Sequence, residues 1–288
     1  MNFGGIDSSF SSFEKAHFVV VPVPYDLTST YQPGSRNGPL AILSASQHME
    51  LYDEELDKET YLAGIHTISP LEVDARGPAK MVETINQKIL ETISFGKTTV
   101  TLGGEHSVSL GAIWAMKEKY PEISVLQLDA HADMRDSYQG SPYSHACLGR
   151  RVSESCPLVQ AGIRSMSAEE ASFIKENKVK TFSADFILKE NLWWEAICEN
   201  LQGDVYITID LDVLDPSIMP STGTPEPGGI YWNDILRLVR ETAKRSRIRG
   251  FDIVELAPIA GMVAPDFLAA KLIYRIMGYL LANQVCMV

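Results

Sequence analysis

Thiol chemistry has little to work with in this chain. Its 288 residues include four cysteines, Cys147, Cys156, Cys198 and Cys286, scattered without a C-x-x-C pair. That spacing excludes a zinc knuckle and argues against a disulfide framework; reduced thiols in the cytosol fit it. Positive charge is also short. With 25 Lys and Arg against 37 Asp and Glu, the net charge is −12, which removes the basic footprint that a nucleic-acid partner needs. No apolar run approaches the ~18 residues of a membrane span. The most apolar stretch, near 268–282, is broken by Lys271 and Arg275. The opening MNFGGIDSSFSSFEKAH has no basic segment followed by an apolar one, so no secretory signal is expected and the cytoplasm is the expected compartment. Repeats, low-complexity tracts and Pro/Gly/Ser-rich linkers are missing too.

What is present is a regular alternation. Short β-branched runs occur at 17–23, 98–104, 123–129, 158–164, 204–212 and 248–256, apolar on both faces, as strands buried in a parallel sheet are. Helical patterns lie between and after them, at 78–95, 107–119, 167–176, 189–200, 232–246 and 264–282, with Asn233 and Asp234 as helix-start residues for one of them. Alternating strands and helices predict βαβ units in an α/β fold, a three-layer sandwich. The even spacing predicts one domain over 1–288. In such folds ligands bind beyond the carboxyl ends of the strands, so polar residues there are the candidates for chemistry.

Three strand ends are rich in acid and imidazole: Gly103-Gly104-Glu105-His106-Ser107, Asp129-Ala130-His131-Ala132-Asp133 and Asp210-Leu211-Asp212. In an extended chain alternate side chains share a side. Asp129, His131 and Asp133 then converge, as do Asp210 and Asp212. A lone Asp-x-Asp is ordinarily a loop or cap feature, and a lone strand-end His a structural residue. Three such segments, each at a strand end, point to a site. Four carboxylates do not cluster ionised in a low-dielectric pocket without positive charge. Two divalent cations supply it, and a carboxylate-rich, thiolate-free set with a minority of imidazole suits manganese better than zinc. Two ions roughly 3.5–4 Å apart also make a shared water a nucleophile at neutral pH.

The segments GGEHS, DAHADMRD followed by SHA, DLDVLDPSIMPSTGTPEPGG and, near the N-terminus, GSRNGPLAI resemble the signature blocks of the ureohydrolase (arginase/agmatinase) superfamily. The resemblance runs from about residue 17 to the C-terminus and sits closest to bacterial and archaeal agmatinases. It implies a three-layer αβα sandwich with a mainly parallel eight-stranded sheet and two Mn²⁺ per subunit. It implies His106, Asp129, His131, Asp133, Asp210 and Asp212 as ligands and hydrolysis of a guanidino substrate to an amine and urea. His145 matches the family's loop histidine, a proton shuttle expected on a mobile loop with a pKa near neutrality; the plain alternative is an exposed loop His. Asp133 is expected to hand a proton on beside it. Glu255 matches the glutamate that binds the guanidinium, and a carboxylate can do so in a bidentate fork; the plain alternative is a surface Glu. Thr224 matches a pocket threonine, or is a turn hydroxyl. Family members are commonly homo-oligomers, trimers or hexamers. A Cys147–His145 nucleophile pair is conceivable in the abstract, but no other feature supports it.

Arginases carry Asn-x-Pro and Ser-x-Asn before the shuttle histidine to hold an α-carboxylate and α-amine. Here the loop 134–144 reads MRDSYQGSPYS and has neither, so agmatine is the expected substrate and polyamine (putrescine) biosynthesis the expected setting. Arg135 in that loop suits a substrate carboxylate such as that of guanidinobutyrate. Another ureohydrolase substrate, guanidinopropionate, arginine or formimidoylglutamate, is the nearest alternative. A non-catalytic homologue that binds a guanidino ligand is the alternative of another class.

Overall fold

A computed structural model describes residues 1–201 and 203–284; Cys286 lies outside them. The strands are β1 (Phe18–Val23), β2 (Tyr52–Asp53), β3 (Lys58–Glu59), β4 (Ile65–Thr67), β5 (Thr98–Gly103), β6 (Ser124–Leu128), β7 (Leu158–Ile163), β8 (Lys180–Ser183), β9 (Asp204–Asp210) and β10 (Arg247–Val254). The helices are α1 (Ser8–Ser11), α2 (Gly38–Ser46), α3 (Pro78–Ser94), α4 (Ser109–Lys119), α5 (Leu148–Ser153), α6 (Ala168–Asn177), α7 (Ala184–Lys189), α8 (Trp193–Cys198), α9 (Trp232–Arg245) and α10 (Ala264–Gln284). Eight strands form one sheet in the order β4-β1-β5-β10-β9-β6-β7-β8, and every pair in it is parallel. The strands β2 and β3 make a separate antiparallel hairpin.

Side chains alternate between two apolar layers. Phe18, Val20, Val100, Leu102, Leu126, Ile207, Ile209, Phe251 and Ile253 pack on one face with residues of α2, α8, α9 and α10. Val19, Val21, Val125, Tyr206 and Val254 face α3, α4 and α5. Both faces being covered, the strands read as continuous apolar runs. The helix α3 turns Met81, Val82, Ile85, Ile89 and Ile93 inward, the spacing of one helical stripe. It lies so close to α4 that a Cβ on Gly111 would stand 2.6 Å from the Val82 carbonyl oxygen.

The six strands read from sequence appear within one or two residues at most boundaries. Two edge strands, β4 and β8, were not expected. They are short and half-exposed, so they lack the two-sided apolar signature. The helix expected over 189–200 is the shorter α8, which starts only after Leu192 takes a left-handed φ of 58°; α7, ending at Lys189, was not read from the sequence. The helix α9 begins at Trp232, the start of the pattern at 232–246, and Asp234 in its first turn caps it by accepting the Tyr231 N–H at 3.0 Å. No helix among the described residues is long and apolar enough to cross a membrane.

Candidate active site

The central strands β5, β10, β9 and β6 end side by side, and the segments that leave them line one cavity of about 320 Å³ together with residues 29–32 after β1 and 165–167 after β7. Its walls include His106, His131, Asp133, His145, Asp210, Asp212, Thr224 and Glu255. Asp129 lies fully buried beneath, within reach of both His106 and His131. All nine residues singled out from sequence thus belong to one place.

The route to convergence differs from the extended-chain expectation. The strand β6 stops at Leu128, and Asp133 has a left-handed φ of 52°. Asp212 lies in a 3-10 turn, Leu211–Val213, whose first amides fold back so that Asp212 N–H donates to Asp210 Oδ1 at 2.9 Å. Side chains two apart meet here because the backbone curls, not because it is straight. Glu255 follows the last residue of β10 with φ 66°. For a residue with a Cβ the left-handed region costs roughly 1–2 kcal/mol, with Asp and Asn among the better tolerated. Glu255 has no such excuse, and its strain marks a side chain held for a purpose.

His106 is the hub. Its Nδ1 lies 3.0 Å from Asp129 Oδ2, 3.2 Å from Asp133 Oδ2 and 3.5 Å from Asp210 Oδ2. None of these contacts has hydrogen-bond geometry, so the buried nitrogen is left without a partner. On the ring's other side Nε2 is 2.9 Å from Thr208 Oγ1, and that hydroxyl donates to Asp252 Oδ1 at 2.7 Å. A hydroxyl that donates to a carboxylate accepts from the imidazole, so Nε2 carries the hydrogen and Nδ1 presents a lone pair to three carboxylates. A lone pair and three anionic oxygens around one point fit a cation. A second group shares Asp129: His131 Nδ1 is 2.9 Å from Asp212 Oδ2 and 3.7 Å from Asp129 Oδ1. The sets His106–Asp129–Asp210 and Asp129–His131–Asp212 each gather ligand atoms within a distance one ion spans.

The electrostatics agree. Burial, then the neighbouring carboxylates Asp212 and Asp129, push Asp210 well above the carboxylate range. Burial and then Asp129 raise Asp133 to about 7. Burial first and Glu105 second raise Glu255 strongly. Such groups stay ionised at neutral pH only when a positive charge joins them.

The residues around them set the geometry. Gln127 donates to Asp129 Oδ2 at 2.7 Å and is itself held by Gln160 at 3.0 Å. Arg164 donates to the backbone oxygens of Asp212 (2.7 Å), Glu226 (2.8 Å) and Pro227 (3.1 Å), lacing the turn after β9 to the PEPGG segment. Glu255 Oε1 accepts the His106 N–H at 2.7 Å, leaving its other oxygen free toward Gly223. None of these partners carried a sequence signal, because each acts on something distant in the chain.

His145 opens a 3-10 turn, His145–Cys147, and is half-buried rather than on a free loop. Burial is the largest cause that lowers its imidazole to about 4, so it rests neutral instead of near its midpoint. Tyr138 meets its ring edge-on at 5.9 Å, and the Arg135 guanidinium stacks on Tyr138 at 5.0 Å. Thr224 is an exposed rim residue. Cys147 is buried, and burial raises its thiol to about 11, which disfavours the nucleophilic thiolate.

The arginase family model matches residues 16–278. The chain is 40% identical over 279 residues to an N(1)-aminopropylagmatine ureohydrolase of Synechocystis, covering 94% of this chain and 91% of the relative. It is 34% identical over 259 residues to an agmatinase of Bacillus subtilis, covering 88% and 87%. Its structure superposes on the agmatine ureohydrolase of Thermoplasma volcanium with a TM-score of 0.90 at 30% identity, over 100% of this chain and 98% of that one.

Proposed function

The chain belongs to the arginase family of ureohydrolases, and from that premise we propose that it cleaves the guanidinium end of a linear amine at a centre of two manganese ions. The supporting observation is the pair of ligand sets joined through Asp129. In this reading His106, Asp129, Asp133 and Asp210 hold one ion, and Asp129, His131 and Asp212 the other. The ions supply charge to offset the carboxylates and lower the pKa of a water so that it attacks at neutral pH.

The chain's own groups do the rest. Glu255 offers its free oxygen to the guanidinium, a charge-assisted contact. Asp133, one of the first set, takes the proton that the attacking water gives up. The leaving amine is a poor anion and needs a proton as it departs. His145, neutral and lining the same cavity, relays it and exchanges with solvent. Thr224 borders the rim where the aliphatic tail passes.

The tail is best read as an amine without a carboxylate. The loop 134–144 offers no Asn-x-Pro or Ser-x-Asn, and an unpaired carboxylate buried there would cost several kcal/mol. The relative with the higher identity is named for N(1)-aminopropylagmatine, so that substrate, giving a triamine and urea, is proposed first. Agmatine is the second reading, favoured by the superposition on an agmatine ureohydrolase along the full chain. Urea release with added manganese decides. Aminopropylagmatine should exceed agmatine in kcat/KM, and both should exceed arginine by about 100-fold, or 2.7 kcal/mol. Arginine at parity, or a preference for guanidinobutyrate through Arg135, would sink the carboxylate-free assignment. We further propose that the chain assembles into trimers or hexamers, which light scattering checks.

A further inference from the structure

Thr28 lies in the segment after β1, which passes directly over the GGEHS turn: a Cβ on Gly104 would stand 2.1 Å from the Tyr25 carbonyl oxygen. Its hydroxyl meets three groups. It is 2.6 Å from Glu105 Oε1, receives the His145 backbone N–H at 3.1 Å, and lies 3.1 Å from His145 Nδ1. Glu105 is fully buried. It also accepts the Thr28 backbone N–H at 2.6 Å and the Ser107 hydroxyl at 2.5 Å. Three donors therefore converge on this carboxylate.

A hydroxyl has one hydrogen and two lone pairs. If the Thr28 hydrogen goes to Glu105, both lone pairs face His145. One takes the backbone N–H, and the other can take only a hydrogen borne by Nδ1. We propose that Thr28, oriented by Glu105, is a positioning residue that fixes His145 as its Nδ1–H tautomer and keeps the Nε2 lone pair free for the cavity. The arrangement rests on the reading of His145 as the proton relay and makes that reading specific. The relay starts each cycle as an acceptor at Nε2, while the Nδ1 side stays anchored through backbone and side chain at once. A competing partner exists: the Ser144 hydroxyl is 3.3 Å from the same Nδ1. If Ser144 donated there, the ring would carry its hydrogen on Nε2 instead.

The test separates these. Protein labelled with ¹⁵N-histidine and loaded with diamagnetic Mg²⁺ should show His145 with a protonated Nδ1 and a bare Nε2. In Thr28→Val, which cannot accept, the tautomer should shift toward Nε2–H. With manganese, kcat should fall about 10- to 100-fold, at most the low end of the roughly 100- to 10,000-fold that one proton-transfer group supplies, with KM and bound metal unchanged. Thr28→Ser restores the hydroxyl and should keep both the wild-type tautomer and kcat within about threefold, a loss of under 0.7 kcal/mol by the same constant. A wild-type His145 in the Nε2–H form overturns the proposal even if no variant folds. So does a Thr28→Val protein with unchanged tautomer and kcat. If wild-type protein releases no urea from any guanidino amine, the proposed function falls, while the tautomer measured in the spectrum still decides the role of Thr28.

Discussion

Two ionic clusters in this molecule solve opposite problems. On α10, the buried Arg275 is ion-paired with Asp53 (2.6 Å), Glu54 (2.6 Å) and Glu55 (2.5 Å). Arg240 on α9 adds a contact to Glu55 at 2.8 Å, and the Tyr279 hydroxyl donates to it at 2.8 Å. Two guanidinium groups face three carboxylates, so the chain nearly neutralises itself, and the effect is to fasten the β2–β3 hairpin to two helices. At the strand ends, Asp129, Asp133, Asp210, Asp212 and Glu255 have two imidazoles among them. No Lys or Arg of the described residues is ion-paired to any of the five. A buried carboxylate without a counter-charge costs several kcal/mol. The first cluster needs nothing from outside. The second is built short of positive charge, and that shortage is what makes it a site for cations and a cationic substrate.

The contrast can be broken at several strengths. Asp129→Ala removes the carboxylate common to both ligand sets and should abolish urea release, by about 10⁴-fold or more, a barrier increase of about 5.5 kcal/mol. Elemental analysis should show less than one ion per chain; two bound ions would break the shared-ligand reading. Glu255→Gln takes out a carboxylate that is no ligand. Both ions should stay, and kcat/KM should fall by roughly 100-fold or more, the scale of one transition-state electrostatic contact. Wild-type turnover would remove Glu255 from the reaction. His145→Ala should also keep both ions and lose about 10- to 1000-fold in kcat, with part of the loss restored by added imidazole; lost metal instead would make His145 a ligand. Arg275→Met should do the reverse of all three. It leaves carboxylates unpaired in the self-neutral cluster and should lower unfolding free energy by about 3 kcal/mol, measured by urea denaturation. Specific activity of the folded enzyme should stay within about twofold, equivalent to 0.4 kcal/mol. A large drop in activity would mean the two clusters are coupled.

Legibility in the sequence follows the same physics. The central strands were readable because burial on both faces forces apolar residues at every position, as in FVVVPV at 18–23 and VYITI at 205–209. The edge strands β4 and β8 carry no such constraint. The site residues were readable because chemistry demands their types in short segments, and the structure gathers all nine. How they converge was misread: period-two alternation applies inside strands, and Asp133 and Asp212 stand beyond strand ends where the chain curls. Thr28, Gln127, Arg164 and Thr208 could not be picked out. Each is an ordinary residue whose partner lies elsewhere in the fold, Glu105 being 77 residues from Thr28 and His145 being 117.

The strand order also sets a timetable. The last sheet strand in the chain, β10, is the only one that joins β5 to β9. On a translating ribosome, every earlier strand emerges while the sheet is still two separate pieces, one ending at β5 and the other at β9. His106 stands on the first piece, and Asp129, His131, Asp133, Asp210 and Asp212 on the second. At 5–20 residues per second, roughly 7 to 30 seconds separate the emergence of His106 from that of Glu255. Until β10 slots between them, two open strand edges are exposed to pairing with other chains. The complete ring of ligands therefore comes together in the step that seals the sheet, and a nascent chain truncated before Arg247 carries both halves of the ligand set without the strand that joins them or Glu255.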